Sequence, residues 1–300
     1  MKTITVNSYQ RRINRVLRYI VKHLDEPLPL EKLAVVAHFS PFHFHRIFHG
    51  LTGESVAGLV RRLRLQRAGF ELCKDEKSIT DIALNAGYGS AAAFSRSFRQ
   101  LSGLSPSDFR RSPIGVARVV IDSGVHYDPA RGIIVLNLFS GVALMHTRIE
   151  TFPEITLACI RHRGSYHEVG PVFDRVLDWV KQRGLYTSST KAIGLPYDNP
   201  DSVPVEELRY DAGVTLEQPV DVTDAAIKLE RIPAGRYAVY TYKGPYTGIA
   251  GAFDKLFGQW LPDSGEEPDE RPCMEIYLND CKALVESEWR TDLCIPLKAQ

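Results

Sequence analysis

The chain has 300 residues, 44% of them hydrophobic and 24% charged, and a net charge of +1. Those values are those of an ordinary globular protein, and the length allows two domains that each bury a core. Five scattered cysteines without a C-x-x-C pair disfavour a disulfide framework and a structural zinc site, and suit a reducing cytoplasm. The N-terminal stretch lacks the apolar run of a signal peptide, and the most apolar segment, 132–145, is too short to span a bilayer and reads as strands. A cytoplasmic protein with no membrane contact is expected.

The near-zero net charge is the sum of two opposed parts. Residues 1–112 carry 18 Lys and Arg against 9 Asp and Glu, a net +9, whereas residues 113–300 carry 19 against 27, a net −8. One part suits a polyanion and the other does not.

Residues 8–24 place Ile13, Val16, Leu17, Ile20, Val21 and Leu24 at helical spacing, and Pro27 and Pro29 end that helix. A short helix over about 30–37 follows. A turn then leads to a helix opened by Ser40 as N-cap and Pro41 at its first position. A longer basic helix covers roughly 54–73.

After "KDEK" the pattern returns. Leu33-Ala34 answers to Ile82-Ala83 and Ala37 to Ala86; "FHRIFHGLTG" aligns with "FSRSFRQLSG", pairing Phe44 with Phe94, Arg46 with Arg96, Phe48 with Phe98 and Gly53 with Gly103. Two helix-turn-helix units bridged by one basic helix point to a DNA-binding surface, since the second helix of such a unit can enter a major groove. Helical hairpins of this length also build scaffolds, but two units with a strong positive charge favour the nucleic acid. Phe44, Ile47, Phe48, Phe94, Phe98 and Leu101 read as core. His45 and His49 stand four apart, but no Glu accompanies them and the second repeat lacks them, so no metal site is read there.

These motifs, "SPFHFHRIF" with "SITDIALNAGYGS" and "FSRSFR", closely resemble the AraC/XylS class of transcriptional regulators over about residues 8–111. The resemblance implies that both second helices read adjacent major-groove segments. The first would use Phe42, His45 and Arg46, with Ser40 or His43 near the phosphates; the second would use Ala91, Ala92, Ser95 and Arg96. An exposed arginine can donate two bonds to guanine, and alanines allow close approach to thymine methyls. Few long polar side chains stand at 91–93, so the second helix is expected to hold the backbone more than read bases.

Residues 113–148 are Gly-punctuated and strand-rich, a connector with early strands. A second duplication follows at a shift of 80 residues: Glu150 meets Glu230, Pro153 Pro233, Gly164 Gly244, Tyr166 Tyr246, and Phe173-Asp174 Phe253-Asp254. Each copy reads as strand, Gly-Tyr turn, amphipathic helix and two more strands. The two halves are predicted to form one antiparallel sheet with both helices on one face and a ligand groove on the opposite face. The expected fold class is therefore multidomain. It joins an all-α domain with two helix-turn-helix motifs (1–112), a connector (113–148) and an α+β domain of duplicated strand-helix-strand-strand halves (149–300).

The segments "LERIPAGRYAVYTYKGPY" and "MEIYLND" resemble the GyrI-like effector-binding domain over about 150–297. That family places a carboxylate among aromatic rings, suited to lipophilic cations; the matching acid is Glu275. Strand alternation sets Cys273, Glu275 and Tyr277 on one face and Met274, Ile276 and Leu278 on the other. Tyr210, Tyr166, Tyr246, Trp179 and Trp260 are the candidate walls.

The chain contains no G-x-S-x-G, Walker A motif, G-x-G-x-x-G in a strand-turn-helix setting, or metal-ligand spacing, so no enzyme and no cofactor are expected. The favoured reading is a transcription regulator that binds double-stranded DNA and senses a small lipophilic or cationic effector, with RNA polymerase as a further partner. The alternative is a GyrI-like hydrolase or drug-sequestering protein with a secondary DNA-binding half.

Overall fold

The computed structural model describes residues 2–74, 77–111, 123–136, 145–200 and 203–299. They fall into two compact units. One comprises Asn7–Pro41 with Phe48–Ser140, and the other comprises Met1–Val6, Phe42–Ile47 and Gly141–Gln300. The expected boundary at 112–113 and part of the apolar run 132–145 lie outside the described residues.

The helices are α1 (Lys2–Lys22), α2 (Leu30–Ala37), α3 (Pro41–Thr52), α4 (Val56–Lys74), α5 (Ile79–Asn85), α6 (Ala91–Ser102) and α7 (Pro106–Arg111). Helix α1 buries Ile13, Val16, Leu17 and Ile20, the apolar stripe read from its spacing. The two helix-turn-helix units share a turn geometry: His38 after α2 and Gly87 after α5 both adopt left-handed φ, 54° and 82°. At Gly87 a side chain would also collide with Arg64, since a Cβ there would lie 2.8 Å from a guanidinium nitrogen.

Helices α5 and α6 are capped by their own sequence. Ser78 Oγ accepts from the Asp81 amide at 3.1 Å, and Ser90 Oγ accepts from the Ala93 amide at 3.2 Å. The core beneath them joins Leu65, Ala68 and Leu72 of α4 to Ile82, Ala83, Phe94, Phe98 and Phe109. Phe98 meets Phe109 edge-on at 5.0 Å, an arrangement that aligns ring edge with ring face. A short hairpin, β1 (Val125–Asp128) with β2 (Ile133–Leu136), is tied to α4 by Arg62. The Arg62 guanidinium pairs with Glu54 and donates to the Val125 carbonyl at 3.1 Å.

The remaining elements are β3 (Thr147–Phe152), β4 (Ile155–Arg163), α8 (Gly170–Gln182), β5 (Ala192–Pro196), β6 (Arg209–Leu216), β7 (Lys228–Ile232), β8 (Gly235–Lys243), α9 (Ile249–Lys255), α10 (Leu261–Ser264), β9 (Met274–Tyr277) and β10 (Arg290–Leu297). The eight strands form one antiparallel sheet in the order β3-β8-β10-β9-β5-β6-β4-β7. The halves meet at β5 and β9, where Gly194 stands beside Glu275. Each copy begins with a strand lent to the other: β3 of the first pairs with β8, and β7 of the second pairs with β4. That exchange covers an edge of each half and adds a connection beyond the predicted pairing of halves.

Helix α8 packs Val176, Trp179 and Val180 on Ala158 and Ile160 of β4 and Val214 of β6. Helix α9 continues through a π turn, Leu256–Trp260, into α10. Aligning Trp179 with Trp260 needs a shift of 81 rather than 80, and a π turn is where a helix absorbs one extra residue.

The expected groove on the helix-free face is corrected by the structure. Leu157, Ile193, Leu195, Tyr237, Val239, Met274, Ile276 and Cys294 fill that face as a buried cluster. The open groove lies instead on the helix-bearing face, lined by residues of α8, α9 and the central strands. Strand parity sorts residues by face, whereas which face is filled depends on the side chains that pack there, here the cluster around Leu195 and Met274.

Candidate functional site

The groove has a volume of about 1110 Å³. At its floor stands Glu275, 5% exposed, as strand alternation requires. Tyr210 Oη donates to Glu275 Oε2 at 2.7 Å, Tyr277 Oη donates to the same oxygen at 2.8 Å, and the two phenols lie 2.8 Å apart. Oε2 therefore takes both phenols, while Oε1 accepts no hydrogen bond from the described residues.

Tyr210 reaches Glu275 by crossing Gly194. A Cβ at that glycine would sit 1.7 Å from the Tyr210 hydroxyl, so the absent side chain is the phenol's passage. At the shift of 81, Gly194 is the counterpart of Glu275, so the pseudo-symmetric groove holds an acid in one half and a vacated position in the other.

Burial raises the Glu275 carboxyl above its ordinary value of 4.5, against the opposing effects of Tyr210, Tyr277 and Arg46. Burial also drives the Tyr210 and Tyr277 phenols well above 10.0, with the neighbouring carboxylate adding to it. Both phenols are thus neutral donors.

Rings continue from this centre. Tyr166 tilts over Tyr210 at 5.1 Å, Phe173 meets Tyr277 edge-on at 5.3 Å, and Tyr246 joins Tyr277 at 5.2 Å to Trp289 at 4.4 Å. Asp174, Asp178, Asp254 and Asp280 also line the groove, Asp174 paired with Lys282 at 2.7 Å. A buried acid with one oxygen not hydrogen-bonded by the described residues, set among ring faces at the floor of an open groove, suits a cation with apolar flanks.

Of the residues chosen from the sequence, Glu275, Tyr277, Tyr210, Tyr166 and Tyr246 line the groove together. Trp179 and Trp260 do not: Trp179 packs α8 on the sheet with Arg183 over its ring at 4.3 Å, and Trp260 closes the π turn. Trp289, Phe173 and Phe253 line the groove and were missed. For the two phenylalanines the repeat was the signal, since Phe173-Asp174 and Phe253-Asp254 recur at the same place in both copies, whereas Trp289 has no aromatic counterpart in the first copy. Among the described residues, no group of three or more His, Cys, Asp or Glu side chains is placed to hold a metal ion.

The candidate DNA-facing residues divide by helix. On α6, Arg96 and Ala92 are exposed, and Ala91 and Ser95 are half-buried. Ser95 Oγ donates to the Ala91 carbonyl at 2.7 Å, so its hydroxyl serves the helix. On α3, Phe42 is half-buried, whereas His43, His45 and Arg46 are buried at 1%, 5% and 5%. Ser40, before α3, is half-buried. The exposed reading face expected for α3 is thus buried in this structure.

Two family models match the chain. A GyrI-like small-molecule-binding domain covers residues 145–298, and a helix-turn-helix domain covers residues 33–112. The DNA gyrase inhibitor of Edwardsiella piscicida is 32% identical over 51% of this chain and 99% of its own length. The regulatory protein SoxS of Escherichia coli strain K12 is 35% identical over 34% of this chain and 96% of its own length. An uncharacterized HTH-type transcriptional regulator of Bacillus subtilis, YbfP, is 36% identical over 34% of this chain and 35% of its own length.

Proposed function

The chain belongs to the GyrI-like family and is an AraC-type DNA-binding transcription regulator, and from that premise we propose that its groove senses a lipophilic organic cation. One observation carries this reading: the buried Glu275 spends Oε2 on two phenols, while Oε1 accepts no hydrogen bond from the described residues, in a groove lined by aromatic rings. A cation there gains charge pairing with the carboxylate and quadrupole attraction from Tyr166, Tyr246 and Trp289. The paired phenols hold the acid in one orientation, so little ordering is left to the binding step. DNA reading is assigned to Arg96 with Ala91, Ala92 and Ser95 on α6, and to Phe42, His45 and Arg46 on α3, with Ser40 and His43 beside the phosphates. The domains of this reading are 1–112 for DNA and 149–300 for the effector.

The test is a titration of the full chain with an aromatic ammonium and its neutral carbon isostere, followed by intrinsic fluorescence. The cation binds and the isostere binds at least tenfold more weakly, and Glu275→Gln removes the difference. Equal binding of the two compounds would overturn the assignment.

A second reading is favoured by the same triad. A carboxyl whose pKa is raised by burial, set beside two phenols, is suited to exchange a proton with a leaving group while water attacks, as hydrolysis of a reactive small molecule requires. It predicts product formation by purified protein that disappears in Glu275→Gln; ligand recovered intact after prolonged incubation excludes it.

A further inference from the structure

The first half of α3, Phe42–Ile47, belongs to the same compact unit as Gly141–Gln300. His43 Nε2 lies 2.6 Å from the Asp269 carbonyl, and its ring is 5.7 Å from that of Phe257. Burial lowers the His43 imidazole to about 4, so at neutral pH it is uncharged and Nε2–H donates to that carbonyl. Phe42 meets Tyr197 edge-on at 6.3 Å.

Arg46 goes further, into the groove wall. Its Nη2 donates to the Asp198 carbonyl at 3.0 Å and points to the Pro196 carbonyl at 3.5 Å, and its guanidinium carbon lies 5.0 Å from the centre of the Phe253 ring. It lines the groove together with Glu275. Its hydrogen-bond partners are main-chain carbonyls, and its Nε has none among the described residues. A guanidinium buried on such terms recovers only part of its hydration energy, which makes the contact one that a better cation can replace.

We propose that Arg46 is the groove's built-in cation: an effector displaces it, and the displaced Arg46 carries the reading face of α3 back to solvent, where DNA can take it. One charged side chain then serves two anionic partners in turn, the groove and the DNA backbone or a guanine edge. The proposal rests on the effector reading of the groove. It explains why residues of reading type on α3 are buried while Arg96, their counterpart on α6, is exposed. Ligand and DNA binding would be coupled through one two-state element, each favouring the conformation in which Arg46 has left the wall.

The experiment uses the full chain and phenylguanidinium, an aromatic copy of the arginine head group. Intrinsic fluorescence reports binding, hydroxyl-radical footprinting reports side-chain exposure of Phe42 and His43, and a gel shift uses DNA selected by this chain from a random pool. Saturating phenylguanidinium should raise the labelling of Phe42 and His43 at least threefold and tighten DNA binding at least threefold. Saturable binding with unchanged labelling overturns the proposal and leaves the effector reading standing. Absence of binding counts against the effector reading, and two variants then decide the proposal without ligand. Phe253→Leu removes the ring beneath Arg46, and Tyr197→Leu removes the ring that Phe42 abuts. A folded variant of either kind should show the raised labelling on its own, and wild-type labelling in both overturns the proposal.

Discussion

Tyr210 occupies the space that a side chain at Gly194 would need: a Cβ on the glycine would stand 1.7 Å from the phenol oxygen and 2.4 Å from the carbon that bears it. The two residues lie on neighbouring strands, with Gly194 paired to Ala212 and flanked on its other side by Glu275. The glycine is therefore part of the acid's hydrogen bonding although it carries no functional group.

Gly194→Ala should displace the Tyr210 ring and break its 2.7 Å bond to Glu275. Overpacking of this kind costs about 1–3 kcal/mol. Denaturant unfolding measures the loss, and a parallel titration should show weaker cation binding because the carboxylate has lost one of its two orienting donors. An alanine variant with wild-type stability and wild-type binding would contradict the crossing.

Cation affinity should depend on pH through Glu275. Its carboxyl is raised above 4.5 by burial, so in the folded protein the charged form appears only at higher pH than in a free side chain. Affinity for a cation should climb as pH rises through that raised value and then level off. In Glu275→Gln the curve should be flat over the same range, as read by titration at fixed ionic strength.

Asp211 presents the opposite sign. It is fully buried, paired with Arg161 and with Lys228 at 2.7 Å, and accepts from Tyr197 at 2.8 Å. Burial alone would raise its carboxyl, but these three donors together bring it below the ordinary 3.8. Its stabilising contribution is complete above pH 3.8 and is lost as pH falls through the lowered folded value. Asp211→Asn should cost about 2 kcal/mol, less than the about 3–5 kcal/mol of fully buried pairs, because Arg161 and Lys228 are 34% and 37% exposed and keep part of their hydration. Urea unfolding of the variant should show a weaker dependence on acid pH than the wild type.

Arg96→Ala should leave thermal stability within about 0.5 kcal/mol, since the side chain is exposed on α6. If it contacts a phosphate, DNA affinity should fall for all sequences alike and the slope of log affinity against log salt should lessen by about 1. If it contacts guanine, the loss should instead be confined to one position of the site, about 1–3 kcal/mol. Fluorescence anisotropy across a salt series separates the two.

Ser90→Ala removes the cap of α6, whose hydroxyl accepts from the Ala93 amide at 3.2 Å. A loss of about 1 kcal/mol is expected. Thermal unfolding monitored by circular dichroism checks it.

Much of this protein was legible without coordinates. The helical stripe of α1, the bounds of α2 and the two paired motifs follow from apolar spacing and turn residues, which act over one or two turns of chain. The place of Glu275 and Tyr277 on one face, and of Met274 and Ile276 on the other, follows from the two-residue period of a strand. The charge division into +9 and −8 pointed to one polyanion-binding part. The π turn after α9 was hidden in plain sight, as a change of the repeat shift from 80 to 81.

Tertiary structure decided the rest. Strand period separates two faces but does not say which one stays open; the buried cluster around Leu195 and Met274 filled one, and the helices left a cleft on the other. The resemblance to an aromatic-lined groove made Trp179 a candidate wall, but packing of α8 on the sheet took it for the core. Arg46 and Arg96 are equivalent in sequence, yet one is buried against carbonyls and a ring while the other is exposed. Short-range periodicities sort residues by face. Only the packing of distant segments determines which faces are covered, because burial is a property of the neighbours a face acquires.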